Sequence, residues 1–449
     1  MNSIRVRLKP PVKERSVYAA RQLLNGSNVG WSTMETIERV FRHFSFPSNA
    51  RIEHKTRMKS IVLAITLVVS ISSAVAAEAK LNPLSPEELA QGWILLFDGQ
   101  TTFGWKPRGE AKWNIADGVI SAVRDSGIGF LGTTTEFPNY QLKAEFWIDD
   151  IANSGIFLRC PTSGAITATN AYEVNIYDKH ATWPTGSINE VARTTINSKT
   201  AGRWNSYDVT ADGDRLVLRL NDKVVLDTRD KKHARGTIAL QYNGQGEVKF
   251  RNVKLKPLGL QSIFNGKDLS GWKEIPDRKS VYSVTPEGWL NVKNGNGDLQ
   301  SVGAYGDFVF QLDILSNGKH LNSGVFFRSE PGQFWSGYES QIRNQWEGGD
   351  RSKPVDFGTG GVYGHQKTRR VIPSDGEWFT KTIAAHGPHI AVWVNGIQVS
   401  DFTDTRTPDE SARRGYRAKP GVLSLQGHDP TTDLSFRNIR IAEMPAGAR

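Results

Sequence analysis

The chain has 449 residues, enough for two or more domains, and a formal net charge of +10. That excess is local: residues 1–57 carry a net +7 and Lys59 adds one, leaving about +2 for everything after. No basic stripe remains to neutralise phosphates, so nucleic acid is excluded as an expected partner, and a single cysteine, Cys160, excludes an intramolecular disulfide framework.

In chain order, residues 1–57 show no sustained hydrophobic periodicity and read as an extension ahead of a start at Met58. Met58-Lys59, the apolar run Ile61–Ile71 and Ser72-Ser73-Ala74-Val75-Ala76-Ala77 supply the charged, apolar and small-residue parts of a secretory signal peptide over residues 58–77. An uncleaved anchor is the competing reading, although the run is short and interrupted by Thr66 and Ser70. The mature protein is expected to be exported, periplasmic or extracellular, with no stable membrane span after cleavage. A short helical turn is expected at Pro86–Ala90.

From there the sequence repeats. Leu96-Phe97-Asp98-Gly99…Gly104-Trp105 returns as Ile263-Phe264-Asn265-Gly266…Gly271-Trp272, and Asn153-Ser154-Gly155-Ile156-Phe157-Leu158-Arg159 as Asn322-Ser323-Gly324-Val325-Phe326-Phe327-Arg328. Tyr172-Glu173-Val174-Asn175 returns as Tyr338-Glu339-Ser340-Gln341, and Phe250-Arg251-Asn252-Val253 as Phe436-Arg437-Asn438-Ile439. A period this long is domain duplication, not a solenoid, and places two tandem domains at 92–257 and 259–445. Within each, apolar alternation flanks Asn221-Asp222 and Asn395-Gly396, dipeptides that favour the positive φ of a tight hairpin. The alternation slips phase at the same Arg-Asn in both copies, which predicts a β-bulge. Strands and turns over about 170 residues per copy predict an all-β fold of two antiparallel jelly-roll sandwiches.

Period-2 alternation in Tyr338–Asn344 places Glu339, Gln341 and Arg343 on one face, and Gly324, Phe326 and Arg328 share a face of the neighbouring segment. Such a face is either a polar binding floor or a solvated outer surface. Cys160, whose counterpart is Ser329, reads as a buried inert thiol. The repeated tryptophans read as core packing, and His386 and His389, around a Gly-Pro turn, as exposed.

The ordered set FDG or FNG…GW, NSGIFLR or NSGVFFR, YEVNIYD or YESQIRN, LQ and FRN-[VI] resembles the 3-keto-glycoside lyase/hydratase family, also described as 3-keto-disaccharide hydrolase, once per copy. The resemblance implies concanavalin/laminin-G-like sandwiches and an exported enzyme acting on a small carbohydrate, a glycoside oxidised to a ketone at C3. The ketone acidifies C2–H, so a base can remove that proton, expel the aglycone from C1 and leave an enone that adds water. Carried onto this sequence, it implies Glu339 or His428 for proton transfer and Arg328 for charge stabilisation or carboxylate positioning, with Gln341 beside Glu339. Arg343 on the same face is a further candidate substrate contact, and the charged, aromatic and Gly-rich loop Gln345–Val371, which carries Trp346, Asp350, Arg351, Asp356, Tyr363, Arg369 and Arg370, is either a sugar-contacting loop with Trp346 and Tyr363 as contacts or a surface loop held by its own ion pairs. Arg159, Glu173, Asn175 and Asp178 form the matching set in the first domain, where Asn243 stands at the place of His428. Some members of the family are expected to use a divalent metal. Neither copy shows a His/Asp/Glu cluster at diagnostic ligand spacing, so no metal residue is assigned. The alternative function is a non-catalytic pair of carbohydrate-binding or envelope adhesion modules on the same architecture.

Overall fold

The structure is a computed structural model that describes residues 84–445; the extension and signal segment expected at 1–77 lie outside the described residues. The expected helical turn is present at Pro86–Ala90. Ser85 Oγ accepts the Glu88 N–H while the Glu88 carboxylate accepts the Ser85 N–H, a reciprocal cap that satisfies two otherwise orphaned donors. The regular structure that follows is β-strand. Among the described residues, no helix is long and apolar enough to cross a membrane.

Each copy folds as its own antiparallel sandwich of one eight-stranded and one five-stranded sheet. In the first domain the five-stranded sheet runs Trp105–Gly109, Ile128–Thr133, Thr237–Asn243, Ser154–Cys160, Tyr172–Ile176. In the second it runs Trp272–Glu274, Gly297–Tyr305, Gly421–Gly427, Ser323–Ser329, Tyr338–Ile342, the same topology. Both hairpin dipeptides adopt positive φ, Asn221 at 48° and Asp222 at 64°, Asn395 at 47° and Gly396 at 74°. The expected bulges are real: Asn252 and Asn438 sit at φ 52° and 53°, where the pairing register shifts.

Alternation decides what is buried. On the strand Phe308–Ser316, Phe308, Phe310, Leu312 and Ile314 enter the second domain's core, where they meet Leu299, Val325, Phe327 and Leu425 of the five-stranded sheet. The opposite face of the eight-stranded sheet packs on the first domain, so Val309, Ala384, Ala391 and Trp393 join the first domain's core. Trp393 Nε1–H donates to Leu95 O at 3.0 Å and Gln311 Nε2 to Gly92 O at 2.9 Å, satisfying polar groups that this docking buries. The hairpin carrying His386 and His389 abuts the first domain instead of solvent. This corrects their expected exposure: each is only 7% exposed, His386 Nε2 accepts the Glu136 N–H at 3.1 Å, and His389 Nε2 lies 3.1 Å from Thr135 Oγ1. Cys160 is a buried free thiol, and burial pushes its ionisation up, which makes it inert.

Candidate functional site

With Leu299, Leu423, Leu425, Val325, Phe327, Tyr338 and Ile342 committed to the core, the alternate residues of the second five-stranded sheet face outward. Asp298 pairs with Gln426, and Gln300 with Ser424. Ser424 pairs in turn with Phe326, Phe326 with Glu339, and Gly324 with Gln341. Two rows therefore cross the sheet, one of Asp298, Gln426, Gly324 and Gln341, the other of Gln300, Ser424, Phe326 and Glu339. These side chains are not solvated: Asp298, Ser424, Gln426, Glu339 and Gln341 are all buried. A polar floor roofed by loops is present where a washed outer face was the alternative.

Gly324 has a physical reason to be glycine. A Cβ there would stand 2.7 Å from Glu339 Oε1, because the Glu339 side chain lies across the gap. Burial pushes the Glu339 carboxyl up to about 7; Arg413 opposes the shift, while Asp298 and Asp356 add to it. Arg413 donates from Nη2 to Glu339 Oε2 at 3.2 Å and from Nε to Trp335 O at 3.3 Å, and the Trp335 N–H donates to Asp298 Oδ2 at 2.8 Å. Glu339 and Asp298 are thus linked around one tryptophan backbone. The Arg413 guanidinium stacks over the Trp335 ring at 4.2 Å and lies 5.3 Å from the Phe326 ring and 5.9 Å from that of Tyr363. Gln300 pins the Trp335 loop by accepting the Gly332 N–H and donating to Gln333 O.

Four oxygens on this floor have no hydrogen-bond partner: Asp298 Oδ1, Ser424 Oγ, Gln426 Oε1 and Gln341 Oε1. Orphaned buried acceptors cost free energy individually; the first domain's floor has them at the places of Gln426 and Gln341, as Gln241 Oε1 and Asn175 Oδ1, and the second adds Asp298 Oδ1 and Ser424 Oγ, which makes it the face richer in places for donors.

The sequence-predicted residues divide clearly. Glu339, Gln341 and Tyr363 come together, with Tyr363 N–H on Glu339 O at 2.9 Å. Gln341 Nε2 donates to Asn322 Oδ1 at 2.7 Å and to Asp356 Oδ2 at 3.1 Å. Asn322 Nδ2 lies 3.0 Å from His428 Nε2, and His428 Nδ1 lies 2.8 Å from Asp429 Oδ2. His428 therefore stands at the rim, 41% exposed, with both ring nitrogens engaged. Arg343 shares the face of Gln341 and holds Gln345 Oε1 at 2.8 Å. Trp346 is stacked at 4.1 Å by Arg351, whose guanidinium is tied to Ile372 O at 2.9 Å and Ser374 Oγ at 2.9 Å, so it anchors a loop.

Arg328 requires a correction. Its residue sits at φ 51° in a bulge that breaks the alternation, and its side chain turns away from Glu339. The guanidinium is 1% exposed and spent on Gly306 O at 2.9 Å, Gly387 O at 2.7 Å, Arg417 O at 3.2 Å and Asp307 Oδ1 at 3.1 Å. Arg159 repeats this at φ 51°, donating to Pro138 O, Gly213 O and His233 O. Both arginines are clamps that close the sandwich, not charges at a reacting centre. The rest of the first-domain set does not converge either. Asp178 accepts from Thr185 and Thr200 and anchors a loop, and Asn175 Nδ2 donates to Trp183 O. Only Glu173, over Gly155 and pushed up to about 7 by burial, mimics its counterpart.

Sequence reasoning missed Asp298, Trp335 and Arg413. Asp298 was findable, since it alternates with Leu299 on a strand of the same sheet. Arg413 was not: it arrives from residues 404–420, where the first domain spans the same two strands with residues 230–236. A divalent metal held by protein side chains needs a converging ligand set. Among the described residues no group of three or more His, Cys, Asp or Glu could hold one, and the Arg413 cation already pairs with Glu339.

Comparisons with known proteins agree with the duplicated pattern. A 3-keto-disaccharide hydrolase of Bacteroides thetaiotaomicron is 24% identical over 254 residues, 43% of this chain and 87% of that protein. A candidate glycosyl hydrolase of Parabacteroides distasonis, known from a crystal structure, is 23% identical, with 40% of this chain and 99% of that one covered and a TM-score of 0.36. A carbohydrate-binding module of Bacillus subtilis is 20% identical over 34% of this chain and 94% of its own, with a TM-score of 0.28. The model of the 3-keto-α-glucoside-1,2-lyase-like domain matches residues 92–256 and again 259–442, and the chain belongs to that family, in two tandem copies.

Proposed function

We propose that the second domain is a carbohydrate-active enzyme that cleaves 3-keto-glycosides, with Glu339 as the base that removes the C2 proton. The observation that carries this reading is Glu339 itself: a buried carboxyl, raised to about 7, laid over the gap at Gly324 in a floor of unpartnered acceptors. A base near the working pH combines an adequate ionised fraction with a useful affinity for the proton. The C3 ketone supplies the acidity that lets such a base act on carbon. His428 is the weaker candidate, because Asp429 and Asn322 occupy its nitrogens and it stands at the exposed rim.

Around Glu339 the remaining groups suit a sugar ring. Gln341, Gln426 and Ser424 offer acceptors for hydroxyl protons, and Trp335 and Tyr363 offer rings for the C–H face. Trp335 is 46% exposed, so its stack with Arg413 is the edge through which a ligand reaches the floor. Once displaced from Glu339, Arg413 is the cation within reach of charge developing on the enolate oxygen. A binding module would use the same acceptors and rings, but it gains nothing from a carboxyl held near neutrality.

The test is the protein with a 3-keto-glucoside deuterated at C2. Aglycone release with a primary isotope effect is expected. Absence of any release across alkyl and aryl 3-keto-glucosides would sink the reading in favour of a binding module.

A further inference from the structure

Elimination from an unactivated glycoside needs a second proton transfer, because an alkoxide is a poor leaving group, and no residue has yet been given that task. The floor contains one group suited to it. Asp298 is 1% exposed, and its two oxygens differ. Oδ2 accepts the Trp335 N–H at 2.8 Å, and Oδ1 has no partner at all. A carboxylate with an unsatisfied buried oxygen is costly, whereas a carboxylic acid carrying its proton on that oxygen is a donor awaiting an acceptor. It lies in the same cross-sheet row as the Gly324 gap, with Gln426 between them. At a strand spacing of about 4.8 Å, Asp298 and Gly324 are about 10 Å apart along the backbone. The Glu339 carboxyl leans over that gap from the other side. Two carboxyls therefore stand on opposite sides of Gln426 and Gly324 on one sheet face.

We propose that Asp298 is the acid that protonates the leaving oxygen, opposite Glu339; this rests on the 3-keto-glycoside reading above. The Glu339 carboxylate takes the C2 proton, and the C2–H electron pair becomes the C1=C2 bond. The C1–O bond breaks, and its electron pair takes the proton from Asp298, releasing the aglycone as a neutral alcohol. Water then adds: the Asp298 carboxylate removes a proton from water as its oxygen bonds C1, and Glu339 returns a proton to C2. Both groups end as they began, and no co-reactant is consumed. Burial pushes the Asp298 carboxyl up to about 6 against the pull of Trp335 N–H, Arg278 and Arg413, while Glu339 is raised to about 7, so the working form, Asp298 protonated and Glu339 ionised, is the less populated arrangement of the shared proton. The first domain has Phe130 in this place, paired with Gln241 as Asp298 is with Gln426, and so lacks the acid.

The experiment compares Asp298→Asn with the unaltered protein on two substrates, methyl 3-keto-glucoside and 4-nitrophenyl 3-keto-glucoside. Nitrophenolate leaves without a proton, so the variant should lose less than about ten-fold there but about 10²–10³-fold on the methyl glycoside. Asn keeps the Trp335 N–H acceptor, and a thermal melt confirms that the variant is folded. Independently of any variant, kcat/KM of the unaltered protein should fall on the alkaline side with the methyl substrate but not with the nitrophenyl one. Equal losses on both substrates, or none on either, would overturn the assignment while leaving the reading of Glu339 intact. An unaltered protein inactive on both would overturn the underlying reading instead.

Discussion

The outer faces of the two five-stranded sheets share one register but only part of their chemistry: the glutamate, the glutamine of Gln241 and Gln426 and the phenylalanine of Phe157 and Phe326 recur, and the rest does not. In the first domain, Phe130, Gly132 and Ala239 stand where the second has Asp298, Gln300 and Ser424. Ile166 and Ala171 pack onto Phe157 and Ala239, so the first floor is closed by its own loop as a small apolar cluster. In the second, the corresponding loop holds Trp335 over Asp298, and residues 404–420 bring in Arg413. What is common to both copies is the core alternation, the hairpins and bulges, the glutamate over its glycine, one floor glutamine and the arginine clamp. The sandwich is maintained twice, while a converging polar site is assembled once, from side chains the fold does not require.

The sharpest way to break this contrast is to remove the shared glutamate from each copy. Glu339→Gln keeps shape and hydrogen bonding but abolishes the base, and turnover of a 3-keto-glucoside should fall by about 10²–10⁴-fold. Glu173→Gln should leave turnover unchanged, because nothing around Glu173 completes a site. A first-domain variant that alone abolished activity would reverse the assignment of the working domain.

Next in size is an effect that should not distinguish the domains. Arg328→Ala and Arg159→Ala each strip buried carbonyl oxygens of their donors, and each should cost about 3 kcal/mol of stability, read by chemical denaturation. Equal losses would support the clamp role. Loss of activity without loss of stability at Arg328 would restore it to the site.

Acidity sharpens the comparison further. Burial raises both Glu339 and Glu173 from an ordinary 4.5 to about 7, so between those values the folded state binds more protons than the unfolded one. Both carboxyls therefore contribute stability that is fully present below about 4.5 and is lost as pH rises through about 7. Either Gln variant should flatten that part of the stability profile. Activity should behave differently: on the nitrophenyl substrate, which needs no acid, kcat/KM should rise with pH through about 7 as Glu339 ionises, and Glu173→Gln should not shift that limb.

The sequence made the fold legible and the site only half so, for a physical reason. Alternation, Asn-Gly turns and the phase slip at Arg251-Asn252 and Arg437-Asn438 are local signals, and each became a strand, a hairpin or a bulge where expected. Glu339 and Gln341 were visible because their strand alternates without interruption. Arg328 was misplaced because strict alternation was extended through a residue whose positive φ rotates its side chain off the face. His386 and His389 were misjudged because burial there comes from the other domain. Asp298 and Arg413 belong to the site through cross-strand register and loop docking, relations between distant segments that no spacing in the chain encodes.

The smallest effect concerns a core position where the copies support the same backbone atom by different means. Lys381 is wholly buried behind the second floor, donating to Ser340 O at 3.0 Å and Gln341 O at 2.8 Å. In the first domain Tyr207 does the equivalent work, its hydroxyl donating to Asn175 O at 2.6 Å. Lys381→Tyr should therefore fold, keep a donor beneath the strand and change turnover by no more than about two-fold. The residue's signature is in stability against pH. Burial lowers Lys381 from 10.5 to about 7, with Glu339 pulling the other way. Between those values the unfolded chain binds the extra proton, so stability rises as pH climbs from about 7 towards 10.5 and is constant below. Lys381→Tyr should erase that rise, as chemical denaturation at pH 7 and pH 9 would show. If instead the variant lost turnover at every pH while keeping its stability, the amine would be acting on the site through Glu339, and the two copies would differ in the layer beneath the floor as well as in the floor itself.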